Sequence, residues 1–189
     1  MDDVVAVLRA GGVVLLPTDT VYGLAVATSV PGSTARLFAL KQRDPQVPIA
    51  VLVGDADQAW SICARPVPDT ALALAGRWWP GAMTLVVRRD PAWSVDLGGD
   101  AATVGVRCPD HDLVRAVCRT VGPLATTSAN RHGQPTPTTA AEAAAAVGDV
   151  DLVVDGGRLS GAPSTVVDCT VDPVRILREG AIASVEVLA

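Results

Sequence analysis

Six short polar segments of this sequence combine side chains that could bind an anion or support a reaction. Three of the segments carry cations, and hydroxyls outnumber carboxylates across the set. Because an arginine fork matches the geometry of carboxylates and phosphates, the set predicts an anionic ligand such as a triphosphate or a carboxylate. The segments are residues 17–24 (PTDTVYGL), 41–45 (KQRDP), 103–109 (TVGVRCP), 125–130 (ATTSAN), 163–168 (PSTVVD) and 176–182 (ILREGAI).

Several common kinds of active site are excluded by pattern. The only lysine, Lys41, stands between Leu40 and Gln42 and not in the Gly-Lys-Ser/Thr context of a phosphate-binding loop. No G-x-G-x-x-G or G-x-S-x-G motif occurs, and the two histidines, His111 and His132, lie in polar, turn-like stretches typical of the surface. With no evident covalent nucleophile, we expect catalysis by positioning and charge stabilisation, as in nucleotidyl or phosphoryl transfer. Mg²⁺ would arrive on the phosphates, without a dedicated protein cage.

Three residue types that occur only once fall inside these segments. Arginine supplies 14 of the 15 basic residues, and Lys41, Tyr22, Asn130 and Phe38 are each the only residue of their type. Chance explains any one of them, but Lys41, Tyr22 and Asn130 lie in three different segments. We therefore interpret these three as ligand-facing, and Phe38 as a core residue on the helix that leads into Lys41.

The overall composition limits the protein class. The chain has 189 residues, 49% hydrophobic and 19% charged, which predicts one globular domain over residues 1–189. It shows no apolar run near the roughly 20 residues of a membrane helix and no basic leader, so we expect a cytoplasmic protein without membrane contact. The net charge of −5 argues against a free-standing nucleic-acid binder. The four cysteines form no C-x-x-C pair and are expected to be buried thiols.

The elements that must position the polar segments alternate between helix and strand. Some strands are separated only by turns, so the pattern predicts a mixed α/β sheet with antiparallel pairs, unlike a purely parallel sheet. Asp2 or Asp3 could cap the first helix, and Asp55 the helix that follows residues 48–53. Helices are also predicted over 4–9, 33–40, 69–78, 110–121 and 139–147, and strands over 13–16, 22–27, 48–53, 83–87, 103–107, 124–127, 152–154, 165–168 and 174–177.

Taken in this order, the segments resemble the YrdC-like family of threonylcarbamoyl-AMP synthases. The resemblance runs from about Val13 to Ile182 and includes residues 77–86 (RWWPGAMTLV) besides the polar segments. It implies an α/β fold with a twisted mixed parallel/antiparallel sheet, flanking helices and a large open cavity. It also implies the conversion of L-threonine, bicarbonate and ATP to threonylcarbamoyl-AMP and pyrophosphate. The product would pass to a transferase complex that modifies adenosine in tRNA.

The resemblance assigns roles by motif. Lys41 and Arg43 would be the catalytic residues and would hold the phosphates. The remaining ATP contacts would be Thr103, Ser128, Asn130, Thr136 and Arg178. Threonine would be bound by Thr20, Tyr22, Arg107, Thr126 and Ser164. No residue is assigned to a metal, and Mg²⁺ is expected with ATP.

The sequence departs from the family pattern near the expected substrates. Asp44 places an acid beside the cations, Val47 and Leu52 are apolar where polar contacts are common, and His132 replaces a usual serine. These departures leave open a paralogue that adenylates another carbamoyl substrate. A module that binds double-stranded RNA or tRNA is a weaker alternative because of the acidic balance. We expect no additional C-terminal domain, and Asp19 is expected to orient its neighbours without touching a ligand.

Overall fold

A single nine-stranded sheet organises the computed structural model, which describes residues 1–41, 44, 46–131, 133–159 and 161–187. The strands are β1 (Val14–Leu16), β2 (Gly23–Ala27), β3 (Ala50–Leu52), β4 (Met83–Arg88), β5 (Thr103–Arg107), β6 (Leu124–Ser128), β7 (Leu152–Val153), β8 (Thr165–Asp168) and β9 (Arg175–Arg178). The helices are α1 (Asp2–Arg9), α2 (Ser33–Lys41), α3 (Ala56–Trp60), α4 (Asp69–Trp78), α5 (Asp112–Val121), α6 (Ala140–Val147) and α7 (Ser184–Val187).

The sheet is mixed, as predicted. Its strand order is β7-β1-β2-β6-β3-β5-β4-β8-β9. Three pairs are parallel (β7 with β1, β3 with β5, β4 with β8) and the other five are antiparallel. The parallel pair β3–β5 places Leu52 beside Arg107, so both strands end at the same edge.

The two faces of the sheet have different partners. One face carries the larger apolar cluster, where Leu85 and Val106 are fully buried beneath residues from α2, α3, α4 and α6. On the opposite face, α1 and α5 cover one end through a second cluster that includes Ala25 and Leu124. The other end of that face is left open to a cavity.

Local sequence signals account for the starts of helices α3 and α6. The Asp55 side chain accepts a hydrogen bond from the Gln58 amide at the start of α3, as the capping prediction required. Thr139 and Glu142 form a reciprocal capping box on α6. The prediction that Asp2 or Asp3 caps α1 is wrong, because both lie inside its first turn, where their charges complement the helix dipole. The short helix α7 was not predicted.

The cysteine prediction is confirmed, since Cys63, Cys108, Cys118 and Cys169 are all buried and free. Within the described part of the chain, no helix has the length and apolarity needed to cross a lipid bilayer.

Candidate active site

A cavity of about 440 Å³ opens on the uncovered half of the sheet. Its wall is formed by strands β6, β3, β5, β4, β8 and β9, from which alternate residues face inward. Ala50 on β3 and Gly105 on β5 lie on adjacent strands, and their small size leaves space above the centre of this wall. Eight of the predicted site residues line the cavity: Thr103, Arg107, Thr126, Ser128, Asn130, Thr136, Ser164 and Arg178.

Arg107, at the end of β5, is held from three sides. Its Nε donates to the Gly81 carbonyl (2.9 Å), one terminal nitrogen donates to Thr20 Oγ1 (2.8 Å), and the other donates to Asp19 Oδ1 (2.6 Å). The ion pair with Asp19 is largely buried, with side-chain exposures of 7% for Arg107 and 16% for Asp19. Asp19 therefore orients the guanidinium, and two of the five N–H donors of Arg107 are left for a ligand.

The turn that carries Thr20 is built around one hydroxyl. Thr18 Oγ1 donates to the Val21 carbonyl (2.7 Å) and accepts from the amides of Thr20 and Val21, both at 3.1 Å. The Thr18 and Thr20 hydroxyls are 3.0 Å apart. Thr20, predicted to touch threonine, is instead 1% exposed and reaches the cavity through its bond with Arg107.

Arg178, at the end of β9, is tied to Ser164. Its Nε and one terminal nitrogen donate to the Ser164 carbonyl at 3.1 and 2.8 Å, and the latter lies 3.1 Å from Ser164 Oγ. Ser164 Oγ is in turn 2.8 Å from Thr84 Oγ1. Thr84 lines the cavity but was not among the predicted site residues, although it lies in the recognised segment 77–86.

Lys41 supports the turn at residues 128–130. Its side chain is 3% exposed at the end of α2, and Nζ donates to the Ser128 carbonyl (2.7 Å), to Asn130 Oδ1 (3.0 Å) and to the Asn130 carbonyl. Asn130 Oδ1 also accepts from Ser128 Oγ at 2.6 Å. The lysine charge therefore lies beneath two residues that line the cavity.

The predicted place of Tyr22 in the cavity wall is corrected. Tyr22 is fully buried in the larger apolar cluster, on the opposite side from Gly23, its cavity-lining neighbour. Its hydroxyl donates to the Gly157 carbonyl (2.7 Å) and accepts from the Gly156 amide (2.9 Å). Burial raises the pKa of this hydroxyl, so Tyr22 stays neutral and ties β2 to the turn after β7. Arg43 and His132 lie outside the described residues.

Two of the departures noted in the sequence lie at or near this cavity. Leu52 lines it and is buried. Asp44 accepts from the Gln46 amide (2.8 Å) and its carbonyl accepts from the Val47 amide (2.9 Å), so its polar groups support the chain leading to Pro48 in the wall.

Comparison with known proteins decides the family. The Sua5/YciO/YrdC family, described under the heading of telomere recombination, matches residues 6–180 of the chain. The chain belongs to this family. The resemblance in the polar segments and the mixed α/β fold are thereby confirmed.

Individual members of the Sua5/YciO/YrdC family are similar over nearly the whole chain. A putative threonylcarbamoyl-AMP synthase of Mycobacterium tuberculosis (strain ATCC 25618 / H37Rv) is 37% identical over 182 residues, which is 95% of this chain and 83% of that protein. Threonylcarbamoyl-AMP synthase of Bacillus subtilis (strain 168) is 37% identical over 188 residues, 97% of this chain and 54% of that protein. The crystal structure of P. abyssi Sua5 complexed with L-threonine superimposes with a TM-score of 0.91 at 32% identity, covering 98% of this chain and 55% of that one. The chain thus spans about half the length of the last two proteins.

The electrostatics of this family member's cavity favour an anion. Burial lowers the pKa of the Arg178 guanidinium, and the nearby charge of Arg107 lowers it further. Burial also lowers the pKa of Arg107, although the Asp19 carboxylate opposes that effect. Both guanidiniums remain charged at neutral pH, and a bound anion would offset their mutual repulsion.

The described residues of this chain form no cluster of three or more His, Cys, Asp or Glu side chains placed to hold a metal ion. Asp19, the acid beside the cavity, is committed to Arg107. The polar groups that line the cavity are hydroxyls, the Asn130 side-chain amide and the two guanidiniums.

Proposed function

We propose that this chain is a threonylcarbamoyl-AMP synthase, which forms threonylcarbamoyl-AMP and pyrophosphate from L-threonine, bicarbonate and ATP. The observation that carries the proposal is that Arg107 and Arg178 both line one cavity whose wall also carries hydroxyls. Hydrogen bonds hold Arg107 to an acidic neighbour, Asp19, and Arg178 to a neutral one, Ser164. The product would serve threonylcarbamoyladenosine formation in tRNA through a separate transferase complex.

Threonine would bind beside the strand ends of β5 and β8. The two N–H donors that Arg107 does not use for Gly81, Thr20 and Asp19 can hold the substrate carboxylate. The hydroxyl pair of Thr84 and Ser164 can hold the substrate hydroxyl, since each can donate or accept. Thr126 lines the same cavity from β6.

The nucleotide would contact Ser128 and Asn130 at the β6 end of the wall and Arg178 at the β9 end, with Thr103 and Thr136 as further contacts. Lys41 would act on the phosphates partly through its charge and partly by fixing the turn at Ser128 and Asn130. Arg43 keeps its predicted phosphate role from the motif alone. Mg²⁺ bound by the phosphates would neutralise part of their charge.

The reaction needs cations more than it needs an acid or a base. The threonine amine and bicarbonate form a carbamate and release water; a carbamate oxygen then attacks the α-phosphorus of ATP, and the bond to pyrophosphate breaks. An anion attacks an anion in this second step, so fixed guanidiniums that cost no reorganisation lower its barrier. Enclosure by the sheet wall would shield the carbamate from water.

The test is pyrophosphate release by the purified chain with ATP, Mg²⁺ and bicarbonate, with each amino acid added in turn. We expect pyrophosphate release when threonine is the added amino acid and with no other amino acid. We also expect a product with the mass of threonylcarbamoyl-AMP. Arg107→Ala should weaken threonine binding by at least about tenfold, roughly 1.4 kcal/mol, because a charged hydrogen-bond pair is lost. The surface variant Arg9→Ala is the matched control and should bind normally. Unchanged threonine affinity in Arg107→Ala would refute the carboxylate assignment.

A paralogue that adenylates another carbamoyl substrate is the second candidate. Leu52, an apolar residue on the cavity wall, is the observation that favours it. Release of pyrophosphate with carbamoyl phosphate, and none with threonine, would select this reading. The RNA-binding alternative draws no support from the net charge of −5.

A further inference from the structure

A second cavity, of about 310 Å³, lies where β3 and β5 end, between α3, α4 and α5. This volume is at the lower end of the roughly 300–1,000 Å³ found for small-molecule sites. The two cavities are close in sequence at the end of β5, because Arg107 lines the first cavity and the next residue, Cys108, lines the second. None of the predicted site residues lines it, so the proposed reaction does not use it.

The wall of this second cavity suits a flat apolar group. Trp60 and Trp79 stack with ring centroids 5.3 Å apart and an interplanar angle of 25°, and both line it. Trp79 is fixed because its indole N–H donates to the Met83 carbonyl at 2.7 Å. Leu72, Ala75 and Pro80 continue the apolar wall.

A glycine keeps the α4 side of this cavity open. Gly76 lies within the helix and lines the cavity, and a Cβ atom built on it would meet no atom within 4 Å. Alanine would stabilise the helix relative to glycine at such a position. Glycine is therefore present although helix stability favours alanine and neighbouring atoms leave room for a side chain. A longer side chain at this position would enter the cavity.

Polar groups at the rim point to an anionic substituent. Arg115 and Arg119 line the cavity together with one acid, Asp55. Arg119 donates to the Gly54 carbonyl (2.8 Å) and to Asp55 (3.2 Å), which leaves further N–H groups of its guanidinium for a ligand.

Arg115 supplies the more specific signal. Its Nε is buried and, among the described residues, has no hydrogen-bond partner. Its terminal nitrogen pairs with Asp112, whose side chain is 96% exposed, and lies 3.9 Å from Asp110, which is 68% exposed, so solvent screens both acids. Because protein atoms enclose this Nε–H, a ligand in the cavity would bind the guanidinium through its terminal nitrogens, whose two acidic partners are screened by solvent.

The second cavity is connected to Arg107 by one short segment. Trp79 and Pro80 line it, and the next residue, Gly81, accepts from Arg107 Nε at 2.9 Å. The Gly81 amide donates to the Cys108 carbonyl, also at 2.9 Å, and Cys108 lines the second cavity as well. A ligand packed on Trp79 and Pro80 would therefore restrict the carbonyl that positions Arg107.

We propose that this cavity binds a small planar ring carrying a carboxylate or phosphate, and that its occupancy strengthens anion binding at Arg107. The second clause rests on the proposed function, because it takes threonine as the anion. By reciprocity, threonine would strengthen binding of the planar anion by the same factor.

The test uses 2-naphthoate as the planar anion and 2-naphthamide as its neutral twin, titrated into the full chain by calorimetry. Naphthoate is expected to bind with a Kd below about 1 mM, at least about threefold more tightly than the amide. Gly76→Leu should weaken naphthoate binding at least about tenfold without lowering the thermal midpoint, because leucine favours helix. Ala73→Leu, on an exposed position of the same helix outside the cavity lining, is the matched control and should bind as the parent does. Arg115→Leu should remove the preference for the acid over the amide.

The outcomes distinguish the planar-anion site from its effect on anion binding at Arg107. Naphthoate binding that is absent, or equal in Gly76→Leu and the parent, overturns the site. Binding that leaves threonine affinity unchanged overturns the link to Arg107, where we expect at least a threefold gain. A chain that binds naphthoate but no threonine would refute the proposed function and the link together while leaving the second site standing.

Discussion

On strands β4 and β5, one face packs against the helices and the opposite face lines the cavity. On β4, Leu85 and Val87 belong to the apolar cluster, whereas Thr84 and Val86 line the cavity. On β5, Val106 is fully buried between Gly105 and Arg107, which both line the cavity. One face is filled by helices, and the other is left open and carries hydroxyls, glycine and arginine beside its branched side chains. The difference implies that stability and ligand binding can be altered separately at neighbouring positions.

We expect the largest change in free energy from a substitution that leaves a cavity in the apolar face of the sheet. Leu85→Ala removes a fully buried side chain from the larger apolar cluster, and we expect the free energy of unfolding to fall by about 2–5 kcal/mol. Urea denaturation measures the loss, and threonine affinity of the folded protein should stay within twofold of the parent. Val86→Ala, on the next residue and the opposite face, is the control. Equal losses for both variants would show that the faces do not differ in packing.

Lys41→Ala tests a cation on a helix that lies beneath the cavity wall. The variant removes the charge and the bonds to the Ser128 and Asn130 carbonyls, so we expect turnover to fall at least about tenfold, roughly 1.4 kcal/mol of transition-state stabilisation. Steady-state pyrophosphate release measures this effect, and circular dichroism checks the fold. Lys41→Arg would restore part of the rate if charge dominates. Near-normal turnover in the alanine variant would contradict the phosphate assignment.

Sequence alone predicted the order of the elements other than α7 and placed the candidate site at strand ends. Polar segments after apolar strands are a local signal, and eight of the twelve predicted site residues line the cavity, while their roles stay predictions. Tyr22 was misplaced because a strand sends successive side chains to opposite faces, and its face depends on the pleat. The alternation of large and small residues in Tyr22-Gly23-Leu24 is the signal that could have placed it.

Other features depend on register between distant strands. Thr84 meets Ser164 only because β4 pairs with β8, and Arg107 meets Asp19 and Thr20 across 87 or 88 residues of sequence. No local pattern specifies these contacts. The second cavity, assembled from three helices and two strand ends, was likewise outside what the sequence could indicate.

Gly105→Val tests whether ligand binding depends on the open space above Gly105 in the cavity wall. A Cβ at this position would meet its nearest neighbour, Thr84, at 3.5 Å, so the backbone accepts a side chain that projects into the cavity. We expect ligand affinity to fall about threefold to tenfold, roughly 0.7–1.4 kcal/mol, while the free energy of unfolding changes little. Calorimetric titration with threonine and ATP measures the loss. Gly105→Ala is the graded control, and full affinity in the valine variant would mean that ligands do not approach this part of the wall.

The smallest effect concerns Asp168, at the end of β8. Burial alone would raise the pKa of its carboxyl, but hydrogen bonds from Thr170 and Arg175 outweigh burial and hold the pKa below its ordinary value. Because the folded pKa is depressed, the carboxylate stabilises the fold above its unfolded pKa of about 4, and this contribution is lost as pH falls through the folded value. Asp168→Asn should therefore lower the free energy of unfolding at pH 7 by up to about 1 kcal/mol, with the deficit shrinking toward pH 3. Urea denaturation at both pH values measures the change, with the exposed Asp149→Asn as control. A deficit that is the same at both pH values would place the effect in packing, and the carboxylate would then contribute nothing through its charge.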